Sequence, residues 1–231
     1  MTANGRSGYS CMDDLKSHPL PSIPRSLNVR SVKREMKTFA EASALSFYKP
    51  AAHVCFWAPC YKNTMFGTYN AAVMMHLRFD GTFGFPGGLI NRGEDILDGL
   101  TRELKEELAY NPAVHKPITY DDYHSSRIVE DKLLVLHLFV VELSMDQFVS
   151  LEKNATSAEE YGVEVFGTVR VPLYTMNNKY GGLPAFLNNR FIGCAKQELI
   201  MALFSIGILT DDQIDELIDN ANNMKLAPNR M

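Results

Sequence analysis

Three glutamates, Glu103, Glu106 and Glu107, stand three and four residues apart in a stretch whose leucines recur at helical spacing. Each residue of an α-helix advances about 100°, so the three carboxylates share one face within an arc of roughly 100°. Like charges at this spacing repel by ~0.2–0.5 kcal/mol per pair, a penalty without return unless cations neutralise it. Hard divalent cations take oxygen ligands, and Mg²⁺ usually takes one or two protein carboxylates, leaving its other positions to water and phosphate. Mg²⁺ or Mn²⁺ on such a face would polarise a phosphoryl oxygen, lower the pKa of a bound water and bridge the two phosphates of a diphosphate. The bland alternative is a solvated acidic helix with Lys105 as its counter-charge.

The elements that must position these residues are legible from the patterning. Ile96, Leu97, Leu100, Leu104 and Leu108 give residues 94–108 an apolar back to the acidic front, and the Gly84-Phe85-Pro86-Gly87-Gly88 run leads into that helix. Strands are expected over 53–60 and 71–79, with a turn at Phe79-Asp80-Gly81, then near 118–129 and 133–143, the last apolar enough to be central in a sheet. Helices are expected over 146–153, 183–189, 195–208 and 211–224, with a short strand or turn at 163–171. This order predicts an α/β or α+β body, a mixed sheet sandwiched between helices.

The chain has 231 residues, 46% of them apolar and 22% charged, enough for one well-buried domain. No apolar run approaches the ~20 residues of a membrane span, and no signal-peptide pattern opens the sequence; a soluble, intracellular protein is expected. Cys11, Cys55, Cys60 and Cys194 lack both paired spacing and disulfide density, so they read as reduced thiols. Residues 1–40 carry seven Lys/Arg against three Asp/Glu, a net +4 that leaves −8 for the rest. That acidic body argues against a broad nucleic-acid groove. With Pro19, Pro21 and Pro24 and little apolar periodicity, residues 1–40 read as a disordered basic extension, and residues 41–231 as the folded domain with its C-terminal helices. Such a tail either touches RNA or is simply solvated.

The pattern Gly88-x5-Glu94-x7-Arg102-Glu103-Leu104-x-Glu106-Glu107 resembles the Nudix box, a loop-helix-loop metal site, with Ala109 where the box has Gly. A Gly there lets the chain leave the helix in a left-handed turn. Across roughly residues 50–210 the chain is similar to the Nudix subfamily of snoRNA-decapping enzymes that also act as inosine diphosphatases. The segments that carry the likeness are His53 in Ala-Ala-His-Val, Arg78-Phe79-Asp80-Gly81, residues 84–88, residues 169–174, Gly181-Gly182-Leu183-Pro184 and Phe191-Ile192-Gly193.

This resemblance implies a Nudix fold and hydrolysis of a phosphoanhydride, in purine nucleoside diphosphates or in RNA 5′ caps, with Mg²⁺ or Mn²⁺ as cofactor. It implies Glu103, Glu106 and Glu107 as catalytic residues, and Glu103, Glu107, the Gly87 carbonyl and Glu164 as metal ligands. Glu106 either binds a second metal or orients the attacking water. Read alone, Glu164 is equally a strand-end surface glutamate. Arg102 orders the loop through Glu94.

For the substrate, the resemblance sets His53 and Phe85 against the purine, Arg78 on phosphate, and Ile192, Gly193 and Cys194 along the pocket. Without it, His53 reads as a core histidine, Phe85 as loop packing and Arg78 as a surface residue. Two positions depart from the subfamily: Glu198 stands where a purine-reading Gln is expected, and Arg127 where a His helps bind metal. An ionised Glu accepts hydrogen bonds and cannot donate, so Glu198 is expected to favour guanine and hypoxanthine over adenine, or else to pair with a nearby cation. His76, His115, His124 and His137 are scattered without ligand spacing and read as surface or strand residues; Tyr120, Tyr123 and Tyr174 either pack in strands or stack on RNA. The resemblance further implies a homodimer in the nucleus or nucleolus, with a purine nucleotide or capped RNA as partner and no membrane. Within the same residues two other functions stay open: an RNA- or protein-binding module without catalysis, and a pyrophosphatase of ADP-ribose or another dinucleotide.

Overall fold

The computed structural model of the chain describes residues 14–27, 32 and 35–226. Its strands are β1 (Met36–Lys37), β2 (Lys49–Thr64), β3 (Gly67–Arg78), β4 (Phe83–Gly84), β5 (Gly87–Leu89), β6 (Tyr123–Val129), β7 (Leu134–Glu142) and β8 (Val165–Arg170). Its helices are α1 (Phe39–Ser43), α2 (Ile96–Leu108), α3 (Pro112–His115), α4 (Met145–Asn154), α5 (Leu183–Phe186), α6 (Ala195–Ser205) and α7 (Asp211–Leu226). Expected and observed elements coincide closely. The first hairpin is longer than its apolar runs suggested, because cross-strand pairing carries β2 and β3 on through polar residues to Thr64↔Gly67.

The strands form one mixed sheet in the order β1-β6-β7-β2-β3-β4, with β5 beside β2 and β8 beside β3. β2 and β7 run parallel from Lys49↔Leu134 to Trp57↔Glu142, and the other pairs are antiparallel. Successive strand residues point to opposite faces, which divides the core in two. Val54, Phe56 and Met74 pack with Leu100, Leu104 and Leu108 of α2 and with Phe148 and Leu151 of α4. Cys55, Val73 and Met75 pack with Leu183 and Phe186 of α5, Leu199 and Leu203 of α6, and Ile214 and Leu217 of α7. Each fully buried Leu or Phe contributes ~1.5–3 kcal/mol, so both faces hold helices firmly and the expected α/β sandwich is what forms.

The described part of residues 1–40 packs on the body. Leu15 and Phe39 are buried in the first core, Val32 and Met36 cluster with Met201, and β1 pairs with β6 at Met36↔Arg127 and Lys37↔Ser126. Val32, Met36 and Phe39 follow one another at spacings of four and three, while Leu15 stands apart. The remainder, residues 1–13, 28–31 and 33–34, lies outside the described residues, as does Cys11. Among the described residues no helix is long and apolar enough to cross a membrane, and Cys55, Cys60 and Cys194 are free.

Candidate active site

Helix α2 is fixed at both ends. The Asp95 carboxylate caps it, accepting from Leu97 N at 2.9 Å and from the Tyr120 hydroxyl at 2.9 Å. At its exit Ala109 adopts φ 50°, ψ 37°, and the Ala109 and Tyr110 amides donate to Lys105 O and Leu104 O. The left-handed exit is therefore made although Ala replaces Gly, at a cost of ~1 kcal/mol. With its leucines in the core, α2 presents Glu103, Glu106 and Glu107 to the opposite side.

Glu107 is 2% exposed; its Oε2 accepts from Gly87 N at 2.8 Å and lies 3.5 Å from His76 Nδ1. Gly87 has φ 120°, and a Cβ there would collide with the Ala52 carbonyl, so only glycine lets β5 approach β2 this closely. A Cβ on Gly88 would strike the Glu103 carboxylate. Arg102 ties the acids to the loop: it donates from Nε to Glu94 at 3.0 Å, from Nη2 to Leu89 O at 3.1 Å, and from Nη1 to Glu103 at 2.7 Å and Glu106 at 3.2 Å. The bond from Arg102, with a further one from the Asn91 amide, holds Glu94 down at about 2. Burial raises Glu103, against the pull of Arg102.

A cavity of about 970 Å³ opens over this face, and every residue singled out from the sequence as catalytic, metal-binding or substrate-binding lines it. Glu103, Glu106, Glu107 and Gly87 stand with Glu164; His53, Arg78 and Phe85 line it as well, as do Ile192, Gly193 and Glu198. Burial lowers His53 to about 4, with Glu107 opposing and Arg78 assisting the shift, so its ring is neutral at pH 7. Phe85 both lines the cavity and packs in the second core. The Arg78 Cζ lies 5.7 Å from the centre of the Phe79 ring, and its buried Nε has no partner among the described residues. Glu198 is buried beside Cys194; desolvation raises it and the charge of Arg127 works against that rise.

Sequence reading missed Glu160. Its amide donates to Glu106 O at 3.0 Å, which brings the loop after α4 to the end of α2, and its carboxyl is raised to about 7 by burial, then by Glu164, Glu107, Glu103 and Glu106. The one available signal was its spacing of four from Glu164. Three of the scattered histidines are strand residues as expected, His76 on β3, His124 on β6 and His137 on β7, and with His115 of α3, which meets Ser150 of α4, all four are buried rather than on the surface. Tyr120 and Tyr123 pack against Phe39 and Phe139 in the first core.

Five carboxylates around one cavity form a hard oxygen donor set with excess negative charge, which adds to burial in raising Glu160. Among the described residues no three His, Cys, Asp or Glu side chains gather as a ready-made cage. Mg²⁺ requires none, since it binds through one or two carboxylates and completes its shell with water and phosphate. The residues present fit a divalent cation on those terms.

Comparison with known proteins gives a consistent picture. A sequence model of the Nudt16-like, U8 snoRNA-decapping enzyme-like family matches residues 50–209. The U8 snoRNA-decapping enzyme of Xenopus laevis is 38% identical over 200 residues, covering 85% of this chain and 91% of that protein. The enzyme of the same name from Mus musculus is 40% identical over 182 residues, covering 77% and 92%. The Tudor-interacting repair regulator protein of Gallus gallus is 34% identical over 206 residues, covering 86% of this chain and 63% of that protein.

Proposed function

The chain belongs to the Nudt16-like family of Nudix hydrolases, and from that premise we propose that it hydrolyses the phosphoanhydride of inosine- or guanosine-type nucleoside diphosphates and of RNA 5′ caps. The observation that carries this reading is the single cavity, lined at once by the α2 carboxylates and by His53, Arg78, Phe85 and Glu198. Its volume is at the upper end of the ~300–1,000 Å³ usual for small-molecule sites, room for a nucleotide with its phosphates.

A divalent cation, Mg²⁺ or Mn²⁺, would be held by Glu103, Glu107, the Gly87 carbonyl and Glu164, where it would polarise the phosphoryl oxygens and acidify the attacking water. Glu106 would orient that water and take up its proton, or hold a second ion. Arg102 keeps Glu103 and Glu106 in register with the loop through Glu94 and Leu89 O. Arg78 offers phosphate a guanidinium fork. His53, neutral at pH 7, and Phe85 offer flat faces for the purine, a contact worth ~1–3 kcal/mol per stacked base. Ile192 and Gly193 line the base end ahead of α6, and Glu198 accepts from the donor edge of guanine or hypoxanthine.

The decapping enzymes among the relatives support capped RNA as a substrate, a nuclear or nucleolar site of action and, by family resemblance, a homodimer. Relatives named for a Tudor-interacting repair regulator favour a second reading, a protein-binding module. The complete carboxylate set argues for catalysis instead. The test measures release of monophosphate from inosine, guanosine and adenosine diphosphates, and of cap nucleotide from capped RNA, with Mg²⁺ or Mn²⁺ and with chelator. Turnover that chelator abolishes is expected; no release from any substrate with either ion would leave the binding module standing.

A further inference from the structure

Glu198 is 5% exposed yet lines the cavity, a position where a lone carboxylate is costly to keep ionised. The titratable and charged groups that act on it come from three elements. Cys194 precedes it by one turn of α6, Cys55 approaches from β2 and Arg127 from β6, and Arg127 in turn has His124 of β6 and Glu35 as charged or titratable neighbours. Burial, and then Glu198 itself, push the Cys55 thiol up to about 12, and burial holds the His124 ring down at about 4, so both are neutral at pH 7. Arg127 supplies the buried positive charge.

Arg127 is 1% exposed. Its Nη2 lies 3.2 Å from Met201 Sδ, one turn beyond Glu198 on α6, and its Nη1 lies 3.5 Å from Glu35. Its Nε is buried without a partner among the described residues. A thioether is a weak acceptor, and the ion pair with the partly exposed Glu35 is long at 3.5 Å, so among the described residues this guanidinium has only a loose partner. A buried cation without a tight partner and a buried anion in the cavity wall thus share one side of α6.

We infer that Arg127 is a positioning residue for base recognition: its permanent charge lets Glu198 meet the purine as a bare acceptor rather than as a neutral acid. This rests on the reading of the Glu198 end as the purine site. A carboxylate welcomes the N1–H of hypoxanthine and guanine and repels the N1 lone pair of adenine; a neutral acid can donate to that lone pair and loses the distinction.

The experiment is a double-mutant cycle in the full-length protein, reading KM and kcat for inosine, guanosine and adenosine diphosphates. Arg127→Met is expected to erode the preference over adenosine diphosphate about ten- to a hundredfold, chiefly in KM, and raising the pH should restore part of it as Glu198 ionises. In a Glu198→Gln background the same change should shift the preference by less than about twofold. Arg127→Lys, which keeps the charge, should retain more of the preference than Arg127→Met. Arg127→Gln, which keeps donors and drops the charge, serves where Arg127→Met does not fold. An unaltered preference in the charge-removing variant, or an equal shift with and without Glu198, overturns the inference. A Glu198→Gln protein with wild-type preference instead removes the purine-site reading beneath it.

Discussion

The two ends of the cavity both hold buried carboxylates, and they manage the charge by opposite means. At the α2 end five glutamates line the wall, and Arg102 bonds two of them, Glu103 and Glu106, together with Glu94 of the loop. Burial first, and then the neighbouring carboxylates, push Glu160 up to about 7. At the other end Glu198 is buried beside Cys194, and the buried Arg127 acts on it from within the protein. On the proposed reading, excess charge at one end invites cations from solution, while at the other a carboxylate with Arg127 acting on it from within selects a ligand by hydrogen bonding. The same functional group serves two chemistries because its neighbours differ.

Disabling the α2 end should have the largest effect. Glu107→Gln keeps the shape of the side chain but removes the charge beside Gly87, and turnover is expected to fall about 10³-fold, with an unchanged far-ultraviolet circular dichroism spectrum. Activity near the wild-type level would erase the contrast between the two ends. Arg102→Ala leaves the ligand atoms in place and frees the loop that orients them, so a loss of about ten- to a hundredfold in activity or metal affinity is expected. Titration with Mn²⁺ followed by phosphate release separates those two effects, and an unaffected enzyme would mean that the Glu94 link is decorative.

A smaller effect concerns how α2 ends. Ala109→Gly removes the strain of a left-handed alanine, and a gain of ~1 kcal/mol, or about 2–4 °C in Tm, is expected by calorimetry with little change in activity. A lowered Tm would contradict the strained exit.

A last test asks how dry the interior around β6 and β7 is. Burial holds His124 and His137 at about 4, while their unfolded counterparts titrate near 6.5. The folded state therefore resists a proton that the unfolded chain takes up. The corresponding stability is present above about pH 6.5 and is lost as pH falls through 4. Proton NMR of the imidazole resonances should show both rings neutral at pH 5, and midpoints near 6.5 would mean that this interior is wet.

Local periodicity put the α2 carboxylates on one face and the leucines on the other, because a helix relates residues three and four apart without reference to the rest of the chain. Alternating and continuous apolar runs likewise announced the strands, including the interior β7. The glycine-rich turn before α2 was legible from composition, and the box pattern identified which acids to watch.

Only the tertiary structure brought Arg127 within reach of Glu198, 71 positions away in the sequence, or carried Glu160 to the end of α2 through one backbone hydrogen bond. Only it buried Leu15, Phe39 and the four strand and helix histidines. Sheet pairing and helix docking decide which distant residues become neighbours, and desolvation, which sets the charge of Glu198, Glu160 and the histidines, exists only once those neighbours have closed out the water.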